Sequence, residues 1–159
     1  MVDAVEEKRN PWALAAFVAL VLGGGTAIGV LTGPDGWYAG LAKPSFNPPN
    51  WVFGPVWSTL YVLIAVAGWL VWSRQRSGAA MVLWWQQLVL NFLWSPAFFA
   101  LHHIGLALAI IVLLLATVWA FVAVTARRQP AAALLFVPYG LWVGFATVLN
   151  AALWTLNGA

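Results

Sequence analysis

Trp84, Gln87, Asn91, Trp94 and Phe98 follow one another at helical spacing in an otherwise apolar stretch. On an α-helix they stack on one face. Two amides and three rings there offer donors, acceptors and flat apolar area. An amide facing lipid would stay unpaired, at a cost of a few kcal/mol, so this face turns into a bundle. There it either meets an aromatic ligand or hydrogen-bonds to other helices, and spacing alone leaves both readings open. A second face runs through Tyr139, Trp142, Ala146, Leu149 or Asn150, and Leu153. Pro138 removes a backbone bond beside Trp142 and invites a kink. The small Ala146 leaves room for a ligand, or is plain helix packing.

Between the first two apolar stretches lies "KPSFNPPNWVFGPVW", residues 43–57. Pro44, Pro48, Pro49 and Pro55 restrict their own φ and push the preceding residues toward extended shapes. Such a loop is semi-rigid and loses little entropy on ordering, as a lid should. Trp51 follows the double proline, where loop meets helix. It is placed to turn its N–H inward, or to anchor at a membrane interface.

Other chemistry is thinly represented. Asp3, Glu6, Glu7 and Asp35 are the only acids, and none lies inside an apolar stretch. Ion-coupled transport calls for an ionisable group at membrane depth, and none is present. No phosphate-binding glycine loop, serine elbow or zinc-protease motif occurs. With no cysteine there is no disulfide or thiolate metal site. His102 and His103 are adjacent in a short link, a pattern that does not by itself define a metal site. No metal and no required cofactor is expected.

These groups must be positioned by membrane helices. Of 159 residues, 64% are hydrophobic and 7% charged, too few charges to cover a water-facing surface. Five apolar stretches, residues 12–32, 51–72, 79–101, 104–126 and 131–154, are each long enough to cross a bilayer as a helix. None alternates as a barrel strand would. The expected fold is all-α: one domain over residues 1–159, a five-transmembrane-helix bundle with a lid at 33–50. Short links make sequential helices antiparallel neighbours. Lys8, Arg9, Arg74, Arg76, Arg127 and Arg128 fall on one side and Lys43 alone on the other. That asymmetry puts the N-terminus on the cytoplasmic side of a bacterial inner membrane. The basic balance serves anchoring and gives no argument for nucleic acid. Trp12, Trp72 and Trp154 fall near span ends, as an interfacial belt requires. The acidic N-terminal segment argues against a transit peptide, and the first apolar run is too long for a cleaved signal.

Three motifs, "WYAGLAKPSFNPPNWVFGPVWSTLY" (37–61), "QLVLNFLWSPAFF" (87–99) and "VPYGLWVGFATVLN" (137–150), resemble the translocator protein family. Its bacterial members are called tryptophan-rich sensory proteins, and its mitochondrial members the peripheral-type benzodiazepine receptor. The resemblance implies a five-helix bundle, commonly a homodimer, with a cavity closed by the first loop. It implies as ligands porphyrins such as protoporphyrin IX, isoquinoline carboxamides and benzodiazepines, and so a receptor or sensor in tetrapyrrole regulation. Passive transport, or light- and oxygen-dependent porphyrin breakdown, is the alternative. Carried over by motif, Trp51 and Asn91 match residues that hydrogen-bond a ligand carbonyl. Trp142 matches the tryptophan that acts with Trp51 in photo-oxidation. Ala146 matches the cavity wall. The expected ligand contacts are Tyr38, Trp51, Trp84, Gln87, Asn91, Trp94, Tyr139, Trp142 and Ala146. Mitochondrial members place a Tyr and an Arg after "ATVLN" for sterol; here "AALWTLN" has neither, which argues against a sterol.

Overall fold

The computed structural model describes residues 10–158, so the cations Lys8 and Arg9 and the acids Asp3, Glu6 and Glu7 lie outside the described residues. All regular elements among those residues are helices, with no strand. We number the helices α1 (Pro11–Leu31), α2 (Gly36–Gly40), α3 (Asn50–Arg74), α4 (Ala79–Ser95), α5 (Ile104–Thr125) and α6 (Pro130–Asn157). Four of them, α1, α3, α5 and α6, are long and apolar enough to cross a membrane. The helix α4 has 17 residues and is prolonged by a π turn over Pro96–Ala100. Pro96 begins that turn, and the chain leaves it through an i→i−5 bond from Leu101 N–H to the Pro96 carbonyl. A second π turn, Ala19–Gly23, interrupts α1.

Local signals explain the ends. The Asn10 side chain accepts from Trp12 N–H at 2.9 Å and Pro11 opens α1. His103 Nδ1 accepts from Leu106 N–H at the start of α5. Pro130 opens α6, which stops at Gly158 with a positive φ of 79°.

Residues 33–49 are more than a loop. Asp35 caps the short α2 by accepting from Tyr38 N–H at 3.1 Å. At the other end of α2, Lys43 Nζ donates to the carbonyls of Tyr38, Ala39 and Leu41, at 2.7, 3.2 and 3.2 Å. Its ammonium also lies 4.7 Å from the centre of the Tyr38 ring. Backbone bonds in this segment are local turns, such as Asn47 N–H to the Pro44 carbonyl at 3.0 Å, and side chains add to its hold.

Packing runs α1 on α3 and α4, α3 on α4 and α6, and α5 between α4 and α6. The core is dense away from α2. There Trp84 is fully buried against Phe17, with ring centres 5.0 Å apart, and Phe121 lies 4.0 Å from Phe136. Gly68 makes room for the Trp84 indole: a Cβ on Gly68 would collide with it. Gly25 likewise faces the Tyr61 ring and Gly140 faces Trp119.

Candidate functional site

Toward α2 the core gives way to a cavity of about 380 Å³. It is within the range of small-molecule sites, about 300–1,000 Å³, at the small end. Its walls come from α1, α3, α4 and α6, with Ile111 and Leu114 of α5 behind, and Pro34 and Tyr38 on the lid side. The lining is aromatic: Phe53, Trp57 and Tyr61 from α3, Trp94, Phe98 and Phe99 from α4 and its π turn, and Trp142 from α6. Thr26 and Gly29 of α1, and Gly54 and Ser58 of α3, line the cavity while remaining exposed, so it opens sideways between these helices.

A buried polar chain forms the floor. Asn91 Nδ2 donates to Tyr139 Oη at 2.9 Å, and Tyr139 Oη donates to Gln87 Oε1 at 2.9 Å. Tyr61 Oη lies at 3.5 Å from Asn91 Oδ1, a long contact. Nearer the lid, Trp94 Nε1 donates to Asn150 Oδ1 at 3.0 Å, and Asn150 Nδ2 donates to the Ile104 carbonyl at 3.1 Å. This second set ties α4, α6 and the start of α5. Ser95 and Thr32 hydroxyls, 2.8 Å apart, join the ends of α1 and α4. Gln87 Nε2 and Trp142 Nε1 are buried without a hydrogen-bond partner among the described residues.

The expected contact residues therefore separate into three groups. Tyr38, Asn91, Trp94, Trp142 and Ala146 come together around the cavity. Trp84, Gln87 and Tyr139 are buried beneath it and do not line it. Trp84 spends its N–H on the Ile64 carbonyl at 2.9 Å. Trp51 is 75% exposed on the first turn of α3, beside the mouth and outside the lining. The sequence reading did not single out Phe53, Trp57 and Tyr61. Their signal was present, since they recur every four residues and share a helical face.

The tyrosine of the lid is fixed by its neighbours. Tyr38 Oη donates to Asn47 Oδ1 at 3.2 Å, and its ring meets Phe98 and Phe99 edge-on at 6.1 and 5.4 Å. Asn157 at the end of α6 holds the Ala42 backbone by two bonds, donating to its carbonyl and accepting from its N–H, both at 2.9 Å. The lid is thus tied to the bundle on the Ala42 side by an amide that has no charge to lose.

Apolar helices of spanning length, packed around an aromatic cavity beside a structured first loop, define a multi-pass membrane protein. The model of the TspO/MBR family matches residues 17–155, and the chain belongs to that family. It is 38% identical over 150 residues to the tryptophan-rich sensory protein of Cereibacter sphaeroides, covering 92% of each chain. It is 37% identical over 145 residues to protein CrtK of Rhodobacter capsulatus, covering 89% of each. The human translocator protein is 39% identical over 126 residues, 76% of this chain and 75% of that one.

Proposed function

We propose that this protein is a membrane receptor for flat, largely apolar ligands, above all porphyrins of the protoporphyrin IX type, and that it serves tetrapyrrole regulation. The observation that carries the reading is the cavity itself, walled by Trp57, Trp94, Trp142 and Phe98, with Asn91 at its floor and Tyr38 of the lid lining it. Stacked rings favour a planar aromatic guest. The side opening suits a ligand that partitions into the bilayer. Relatives named as sensory and translocator proteins support the assignment. Isoquinoline carboxamides and benzodiazepines fit the same chemistry, a carbonyl on an aromatic body. In this reading α4 and its π turn complete a fifth crossing, the N-terminus is cytoplasmic, and two copies associate. Contact residues are Tyr38, Asn91, Trp94, Trp142 and Ala146. Trp84, Gln87 and Tyr139 shape the floor from behind, and Trp51 stands at the mouth.

The test is titration of protoporphyrin IX into the protein in lipid nanodiscs, followed by tryptophan quenching. Binding that is mostly apolar should persist at high salt. Ala146→Leu should lower affinity at least tenfold, because the added side chain occupies the wall. Equal binding by the parent and Ala146→Leu would place the porphyrin elsewhere. Trp142 on the wall also favours a second reading, light- and oxygen-dependent porphyrin breakdown, because an indole beside the ring is oxidisable. Illumination in air should then bleach the porphyrin spectrum in the parent and much less in Trp142→Phe.

A further inference from the structure

The N-terminal side of the lid is attached differently from the Ala42 side. His102 sits in the link between the α4 π turn and α5, with a positive φ of 54°. This left-handed backbone is uncommon outside glycine, and asparagine, aspartate and histidine are the residues that adopt it most readily. The side chain is engaged by the lid. His102 Nε2 is 3.4 Å from Asp35 Oδ2, and the imidazole stacks on the Trp37 indole, with ring centres 4.2 Å apart and planes 20° from parallel. Asp35 and Trp37 belong to the cap and first turn of α2, whose next residue, Tyr38, lines the cavity.

We infer that Asp35, Trp37 and His102 form a proton-operated latch that holds the lid over the cavity when His102 is charged and loosens it when His102 is neutral. The inference rests on the reading that residues 33–50 close the ligand site. An imidazolium gains twice here, from the Asp35 carboxylate and from the indole face. Neutral imidazole keeps only the stacking and a weaker hydrogen bond. Imidazole is the side chain that changes charge between about pH 5 and 8. Asp35 stays ionised over that window, because the Tyr38 N–H that it caps holds its carboxyl below the ordinary value. The sign follows: the latch is present where His102 carries a proton and is lost at higher pH where it does not. At much lower pH it is lost again as Asp35 protonates. The other titratable group at the link is His103, whose Nδ1 is committed to capping α5. Lys43 is turned to carbonyls at the far end of α2.

The chain has no cysteine, so one introduced at exposed Ala39, on α2 beside the latch, can carry a single spin label. Its mobility is read in nanodiscs without ligand, so porphyrin binding does not enter the result. The ratio of immobile to mobile label should fall about two- to tenfold between pH 6 and pH 8.5, the size expected of an exposed pair with a stacked ring. His102→Asn tolerates the left-handed backbone and removes the charge. It should be at least as mobile at pH 6 as the parent at pH 8.5, with no change between the two pH values. Asp35→Asn keeps a capping oxygen and should also flatten the profile, whereas His103→Asn should leave it intact. A flat profile in the parent, a pH response that survives His102→Asn, or one lost in His103→Asn overturns the latch.

Discussion

In the deep half of the bundle, Trp84 buries its whole ring, fits over Gly68 and donates its N–H to Ile64. In the lid half, Trp57, Trp94 and Trp142 stand along a cavity. The residue type is the same and the helix faces are continuous. What differs is the opposite wall. Deep in the bundle, Phe17 of α1 reaches across to Trp84. Past the π turn of α1, its cavity-lining residues are Gly25, Thr26, Ile28, Gly29 and Val30, none of them aromatic. Tyr61 fills the face of Gly25 and nothing packs over Gly29, so no ring of α1 crosses the space as Phe17 does deeper down. The polar groups differ in the same way. The deep set, Gln87 and Tyr139, pairs within itself. In the lid set, Lys43 and Asn47 bond within the segment itself, and Asn157 and Asp35 tie it to α6 and to His102.

The sharpest way to break the comparison is to unpair the floor. Tyr139→Phe removes the hydroxyl that serves both Asn91 and Gln87. Two amides then lose a partner in a dry core. The expected cost is about 1–3 kcal/mol, since membrane hydrogen bonds are worth less than their desolvation suggests. Thermal unfolding in mild detergent should show it as a lowered midpoint. Adding Gln87→Leu should recover part of the loss, because that amide already leaves Nε2 unpaired. If Tyr139→Phe unfolds like the parent, the floor is wet and the two halves are not distinct.

Next in size is Ala146→Leu, which should act on binding and spare stability. Ala146 is 9% exposed on the cavity wall, so an isobutyl group has space to enter. Affinity for protoporphyrin IX should fall at least tenfold, about 1.4 kcal/mol. An equal fall in the unfolding midpoint would mean that the wall is packed core. Asn157→Ala should be milder. It cuts both bonds to Ala42 at an exposed site, worth about 0.5–1.5 kcal/mol together. Ligand release should quicken several-fold in stopped-flow, with little change in global stability.

How much of this was legible from sequence depends on depth along the helix. The helices began and ended within a few residues of the apolar stretches, because Asn10, Pro11, Pro130 and Gly158 mark ends by local chemistry. The inward faces of α4 and α6 were also legible from spacing. Periodicity gives the angle around a helix and is silent about what lies opposite. Trp84 shares a face with Asn91, yet seven residues put it about 10 Å away along the axis, at about 1.5 Å per residue. That distance separates core from cavity. The glycines of α1 were visible in the sequence. Their meaning depends on Tyr61 and Phe92 arriving from other helices.

The smallest expected effect concerns Trp51, which is informative for that reason. Motif resemblance assigns it a hydrogen bond to the ligand. In the structure its ring is 75% exposed, and Asn50, Phe53 and Gly54 around it line the cavity while it does not. An exposed indole at a helix end in a bilayer gains most from the interface, and phenylalanine keeps its apolar area but loses the N–H. Trp51→Phe should therefore leave unfolding unchanged and alter porphyrin affinity by less than about threefold, under 0.7 kcal/mol. Trp142→Phe, on the wall, should alter affinity more, and it should not lower stability, because the lost N–H had no partner. The reverse order would be equally definite. A tenfold loss in Trp51→Phe would mean that α3 rotates or the lid descends on binding, bringing this indole over the guest. Pro55, which breaks the backbone ladder one turn after Trp51, is where that movement would be absorbed.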